Sequence, residues 1–372
     1  MSPEDFLRTL KLSGVNFFTG VPDSILRDFC TLINQLNPPN HITAANEGTA
    51  VSLAIGHYLG TRSTPAVYLQ NSGLGNALNP IISLAHKSVY QIPILLIIGW
   101  RGEPGFKDEP QHQAQGSITI PLLDICGIPY KILSSETSEK EIQEFIRTSS
   151  NPKSGPFAIL VSKSGILTEN TEVKNQIKTT LTRKSAIQVI SRCIKSNDII
   201  VATTGKISRE LLLIRKSDTK SHADFLCVGG MGHASSIATG LAISNANRRV
   251  FCLDGDGALQ MHLGSAATIG ELSPKNFFHF VFNNGTHDSV GGNPVTSPTL
   301  NYQKLFKAFG YQNQFLATNG AEIESAISYC NQNDGPILIE AKIESGQEEN
   351  LPRPTDHPLT SVRNFQEMLH NE

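Results

Sequence analysis

Two related α/β domains, each a doubly wound parallel sheet, are what this sequence predicts. Three observations lead there. Helix-like and strand-like segments alternate through both halves of the 372 residues, the order that builds parallel sheets with helices on both faces. A polar, weakly patterned stretch at residues 164–184 separates the halves. Finally, Ala66-Val67-Tyr68-Leu69-Gln70-Asn71-Ser72-Gly73 is similar to Val250-Phe251-Cys252-Leu253-Asp254-Gly255-Asp256-Gly257, each an apolar strand that opens into a Gly turn.

The elements follow in order. Ser2 precedes a helix over Pro3–Leu12, with Pro at its first turn and Gly14 behind its end. Asn16–Thr19 reads as a strand, Ile25–Gln35 as a helix and Ile42–Ala45 as a strand. A helix over Glu47–Gly60, a strand over Ala66–Leu69 and a helix over Gly75–Ala85 come next. Pro93–Gly99 is a continuous apolar run, the mark of a parallel strand buried on both faces. Pro129–Ile132, Ser138–Thr148 and Pro156–Val161 close the first domain, 1–163. Residues 164–184, rich in Thr, Lys, Asn and Glu, read as a linker.

The second domain, 185–372, repeats the alternation. Ser185–Ile194 is a helix, Asp198–Ala202 a strand, and Arg209–Arg215 and Ala234–Ser244 are helices. The strands Val250–Leu253 and Asn276–Phe282 flank a helix over Leu259–Gly270. Helices at Tyr302–Phe309 and Glu322–Asn331, a strand at Pro336–Lys342 and a polar tail at Gln347–Asp356 complete the set.

Composition excludes several classes. A formal charge of −2 gives no electrostatic footprint for nucleic acid or a membrane surface. The six cysteines are scattered with no CxxC, neither a disulfide framework nor a zinc site. No apolar run reaches the ~18 residues of a membrane span. The N-terminus carries a helix signal and no charged-then-apolar leader, so a soluble cytoplasmic protein is expected. Neither half has a complete G-x-G-x-x-G, which disfavours nicotinamide chemistry.

The chemistry-bearing pattern is Gly255-Asp256-Gly257 followed by Asn283-Asn284, with a helix-length spacer between. It joins two strand ends in one sheet, where ligands of open parallel sheets bind. An Asp and an Asn delivered there are hard oxygen ligands suited to Mg²⁺, which fills its other positions with phosphate oxygens and water. The motif reads as a diphosphate anchor held through a metal. Thr203-Thr204-Gly205-Lys206, a strand-to-helix turn with backbone N–H groups and a Lys, suits the same diphosphate.

These motifs resemble those of the thiamine-diphosphate (ThDP)-dependent 2-oxo acid decarboxylases. The resemblance covers nearly the whole chain and is weakest in the linker and beyond about Ser345. It implies a pyrimidine-binding first domain, a diphosphate-binding second domain and no room for the middle domain that larger members carry. It implies Mg²⁺ held by Asp256, Asn284 and the Thr286 carbonyl, with Gly205, Lys206, Gly255, Gly257 and Ala258 around the diphosphate. Met231, in Gly229-Gly230-Met231-Gly232, is the implied apolar support under the bent coenzyme, and the Gly229 carbonyl the acceptor for its amino group. Glu47, in Ala45-Asn46-Glu47-Gly48-Thr49-Ala50, is the implied carboxylate that activates the aminopyrimidine. By resemblance too, the chain forms a homodimer or a higher even homo-oligomer with sites at subunit interfaces.

Three further stretches narrow the match: Phe18–Ser24, Gly99–Gly105 and Asp108–His112. Together with Asn284–Gly292 they resemble the branch that decarboxylates 3-phosphonopyruvate. A dianionic phosphonate needs fixed donors, so Arg101, Lys107 and His112, on one polar loop, are substrate-binding candidates. Asp23 and Ser24 are candidates for substrate contact or proton relay, although Asp23 also suits a cap for the next helix. His287 is a candidate proton donor to the product. The sulfonate analogue, sulfopyruvate, is the alternative substrate, and a catalytically silent ligand-binding protein of the same fold is the alternative class.

Overall fold

The computed structural model describes residues 1–36, 38–167, 180–218, 222–346, 351 and 357–370. The chain divides into two compact units, Met1–Val173 and Lys174–Glu372. Most of the expected linker, residues 168–179, lies outside the described residues, as does the Gln347–Asp356 tail apart from Leu351.

The N-terminal unit is built on six strands: β1 Phe18–Gly20, β2 His41–Thr43, β3 Ala66–Gln70, β4 Leu95–Gly99, β5 Tyr130–Leu133 and β6 Phe157–Val161. They lie in the order β2-β1-β3-β4-β6-β5, every neighbouring pair parallel. Alternate residues of β4 feed opposite faces: Leu95 and Ile97 join one buried cluster, Leu96 and Ile98 the other. That is why the strand reads as an unbroken apolar run.

The C-terminal unit has β7 Ile199–Ala202, β8 Ala223–Leu226, β9 Val250–Gly255, β10 Phe277–Asn283, a ribbon of β11 Thr286–His287 with β12 Asn293–Pro294, then β13 Asn313–Ala317 and β14 Ile337–Lys342. Its main sheet runs β13-β14-β10-β9-β7-β8, again all parallel. Read from its other end, with the ribbon set aside, this is the strand order of the first sheet. Phe278, Phe280 and Phe282 of β10 pack on one face, Phe277 and Val281 on the other. The two related doubly wound sheets expected from sequence are present, and among the described residues no middle domain intervenes.

Several elements differ from expectation. Pro110–Ile125 is a helix, so His112 stands in a first helical turn and not on the loop that carries Lys107. Its apolar residues form no single stripe, and Pro121 lies inside it, which hid it from periodicity. The short strands β8 and β13 are half-exposed edges; β13, Asn313–Ala317, carries polar residues. The helix expected over Leu259–Gly270 is two, Asp256–Met261 and Gly264–Leu272. Pro358–His370 is a further helix, packed on the second unit through Phe365. No helix among the described residues is long and apolar enough to cross a membrane.

Candidate active site

In the C-terminal unit the strand order reverses direction between β7 and β9, and a crevice opens beyond their carboxyl ends. Such a switch point is where open α/β sheets bind ligands. A cavity of about 70 Å³ lies there, lined by Thr203, Thr204 and Lys206 after β7, by Gly255–Ala258 at the end of β9, and by Asn284, Thr286 and His287 after β10. Met231 also lines it; Gly229 does not. Gly205, at φ +101°, caps the helix Lys206–Arg215, a conformation only glycine adopts freely.

Asp256 opens a helix and is 3% exposed. Its Oδ1 accepts the Gly257 N–H at 2.8 Å and its Oδ2 the Gly285 N–H at 2.7 Å. Burial raises its carboxyl to about 7, against the pull of those two N–H groups. Asn284 follows β10 directly, and its Oδ1 accepts the Thr286 N–H at 3.0 Å. Asp256, Asn284 and Thr286 thus offer carboxylate, amide and carbonyl oxygens around one cavity, and an all-oxygen set fits a hard divalent ion such as Mg²⁺. The glycine that follows Asp256 is required sterically: a Cβ on Gly257 would overlap the His287 ring. His287 is 9% exposed. Burial lowers it to about 4, so it is a neutral imidazole at neutral pH.

A second cluster needs separating from this one. Cys252, Asp254 and His279, all buried, bring a thiol, a carboxylate and an imidazole within 4.8 Å of one another. His279 Nε2 faces Asp254 Oδ2 at 3.5 Å, and Nδ1 meets the Tyr311 hydroxyl at 3.2 Å. Sulfur and nitrogen donors do not suit Mg²⁺, and burial holds the Cys252 thiol protonated. This set does not serve as the magnesium site.

In the N-terminal unit Glu47 is the first residue of the helix Glu47–Thr61, behind the N-cap Asn46. It is 4% exposed, and Asn76 Nδ2 donates to its Oε2 at 2.8 Å. Burial raises its pKa, with Asn76 opposing. Gly73 presses on it: a Cβ there would overlap the carboxylate. A side chain held at one oxygen and desolvated is suited to exchanging a proton with a heteroaromatic nitrogen.

The candidate substrate residues are more committed than expected. Asp23 is wholly buried; its Oδ2 accepts the N–H groups of Ile25 and Leu26, and Oδ1 accepts from Gln70 at 2.8 Å. These bonds fasten the bend ahead of the helix Arg27–Ile33, whose N-cap is Leu26 with no side-chain cap bond, so Asp23 does not cap that helix as the alternative had it; burial raises its pKa. Arg101 presents its fork to Asp108, at 2.8 and 2.5 Å, and a third N–H to Ser24 Oγ at 2.8 Å. Burial would raise Asp108, but Arg101 and the Gly102 N–H outweigh it and hold the carboxyl at about 2. An incoming anion would meet an arginine already paired. Lys107 is exposed and its carbonyl accepts from Lys163. Burial, then Arg101, lowers His112 to about 4.

Sequence reasoning missed Asn76, Asp288 and Arg183. Asp288 was in view beside Asn284 but unassigned, and Arg183 stood inside the expected linker. It is instead the first residue of the helix Arg183–Cys193, 7% exposed, at the cavity wall.

Comparison with known proteins bears on both units. Residues 3–123 match the family described as thiamine pyrophosphate enzyme, N-terminal TPP binding domain. Residues 204–341 match thiamine pyrophosphate enzyme, C-terminal TPP binding domain. A phosphonopyruvate decarboxylase of Streptomyces viridochromogenes is 33% identical over 97% of this chain and 93% of its own. One from Streptomyces hygroscopicus is 32% identical over 99% and 94%. A sulfopyruvate decarboxylase of Methanosarcina acetivorans is 25% identical over 99% and 98%.

Proposed function

The chain belongs to the thiamine pyrophosphate enzymes, in the branch of the phosphonopyruvate decarboxylases, and from that premise we propose that it converts 3-phosphonopyruvate to phosphonoacetaldehyde and CO₂ with Mg²⁺ as its metal. It is a thiamine-diphosphate-dependent decarboxylase, a carboxy-lyase. The observation that carries the substrate is the near full-length similarity to two relatives that bear that name.

When bound, thiamine diphosphate supplies the electron sink for loss of CO₂ from a 2-oxo acid. The chain's own residues hold and shape. Asp256, Asn284 and the Thr286 carbonyl would take the ion; Lys206, Gly205 and the residues Gly255–Ala258 would face the diphosphate. Met231 would support the bend beside Gly229. Glu47 would give and take a proton at the pyrimidine ring nitrogen, with Asn76 fixing which oxygen does so. His287 would relay the proton that the product carbon needs, taking one up at its second ring nitrogen as it gives the other away. Arg101, with Ser24, Lys107 and His112 near it, would meet the phosphonate, and Asp108 would have to yield part of its grip on Arg101. Two copies of the chain would share each coenzyme, Glu47 from one and the metal ligands from its partner.

Sulfopyruvate is the second substrate reading, motivated by the full-length relative of that name. Aldehyde release from the two acids, measured side by side as kcat/KM with ThDP and Mg²⁺, decides between them, since specificity is the ratio of those values. A preference for the phosphonate of tenfold or more is expected. No turnover of phosphonopyruvate would end the proposal.

A further inference from the structure

Three charged side chains stand behind the proposed metal ligands. Arg183 directs Nε and Nη2 to the two oxygens of Glu210, at 3.1 and 2.8 Å, and Nη1 to Asp288 Oδ2 at 2.9 Å. All three are at least 90% buried. Burial would lower the Arg183 pKa, but the two carboxylates outweigh it and raise it, so the guanidinium is a fixed charge. Glu210 sits on the helix that Lys206 opens. One arginine therefore ties the start of its own helix, the diphosphate-facing helix and the loop after β10.

Asp288 passes this on to the ligands. Its Oδ2 also accepts the Asn284 Nδ2–H at 2.7 Å, and its Oδ1 accepts the Thr286 hydroxyl at 2.8 Å. The Gly346 N–H adds a longer contact to Oδ2. An amide whose nitrogen is held by a carboxylate has its Oδ1 orientation decided, with no freedom to flip. Thr286 is likewise pinned by its hydroxyl, which also meets Ser345 at 2.9 Å. Asp288 spends its acceptor capacity on these donors, which makes it an orienter of ligands.

The geometry points to the Arg183–Asp288 pair as the positioning device that presets Asn284 and Thr286 for the divalent ion. This rests on the proposed ligand set. Groups that orient ligands are worth about 10–100-fold in metal affinity when removed.

The test uses Mn²⁺ as the probe, titrated into full-length metal-free protein with excess ThDP and read by the EPR signal of the free ion. Asp288→Asn keeps shape and leaves Arg183 held by Glu210. It is expected to raise the Mn²⁺ Kd by about 10–100-fold, with kcat at saturating Mn²⁺ recovering to within a few-fold of the parent. Arg183→Gln should move Kd in the same direction. An unchanged Kd in Asp288→Asn, or a kcat that saturating metal does not restore, overturns the positioning role. Should that variant not fold, Thr286→Val removes the hydroxyl's bonds to Asp288 and Ser345 and spares the carbonyl, with Ser345→Ala as the control for the second bond: a several-fold rise in Kd in Thr286→Val beyond that of Ser345→Ala supports the inference and none overturns it. Asp256→Asn separates the two layers, because if it binds Mn²⁺ like the parent the ligand reading itself has failed.

Discussion

At the crevice between β1 and β3 the N-terminal unit closes over itself: Gln70, at the end of β3, donates to Asp23, after β1. At the matching crevice between β7 and β9 the C-terminal unit keeps a cavity of about 70 Å³. The strand order is the same, but the third strand ends differently: Asn71–Gly73 is a short 3-10 turn ahead of its helix, while β9 runs through Gly255 and a helix opens at Asp256. The side chains set there differ as well. Gly73 lets the backbone approach the Glu47 carboxylate, while Gly257 makes room for His287. One scaffold has thus been dressed twice, once to present an acid through the loop after its second strand, once to cradle oxygens beyond its third and fourth. On this view activation of the pyrimidine belongs to the first unit and diphosphate and metal binding to the second, and each half of that division can be broken separately.

The largest effect is expected from Glu47→Gln. General acid–base groups contribute about 10²–10⁴-fold, so decarboxylation and hydrogen–deuterium exchange at the coenzyme's C2 should fall by that factor. Metal and coenzyme binding should survive. Exchange at the parent rate would mean that the first unit does not hold the activating group. Next comes removal of the ion: a chelator should weaken ThDP retention, because Mg²⁺ fills its open positions with phosphate oxygens, and Mg²⁺ should restore it. ThDP held equally tightly without any divalent ion would detach the second unit from its assigned task.

A smaller effect, about tenfold, separates the two glycines. Gly73→Ala forces a Cβ into the Glu47 carboxylate, and displacing a catalytic group by about 1 Å can cost up to 10²-fold. It should lower kcat and leave Mn²⁺ affinity alone. Gly257→Ala drives His287 aside and should weaken Mn²⁺ and ThDP as well. Gly75→Ala is the control, since a Cβ there meets nothing within 4 Å. Equal loss in all three would show that helix and turn geometry, and not these contacts, is being measured.

How much of this was legible follows from how local each signal is. Asp256 and Asn284 lie at strand ends, and a strand end with its turn is written in consecutive residues, so both came from the sequence. The paired sheets came from alternation and from the likeness of Ala66–Gly73 to Val250–Gly257. Asn76 reaches Glu47 across 29 positions and Arg183 reaches Asp288 across 105; no spacing rule joins such partners. The Thr182 cap of the helix Arg183–Cys193 was overridden by the polar composition around it. Arg101 was read as an open anion site because its type invites one. Only the fold reveals that Asp108 occupies the fork.

The last effect concerns stability and leaves the chemistry untouched, and it belongs to the first unit. His41, on β2, is 6% exposed with Nε2 at 2.9 Å from the Tyr68 hydroxyl. Burial lowers it from 6.5 to about 4. The unfolded chain therefore takes up this proton first as pH falls. The stability contributed by a neutral His41 is complete above pH 6.5 and is lost progressively down to about pH 4. At pH 5 the loss from this one group is about 2 kcal/mol. In His41→Gln, which keeps a partner for Tyr68 and cannot titrate, that loss is absent. Urea unfolding of parent and variant should then show the parent ahead at pH 7.5, with the gap narrowing by about 2 kcal/mol at pH 5. A gap of constant size would mean that His41 is not held neutral in the folded sheet.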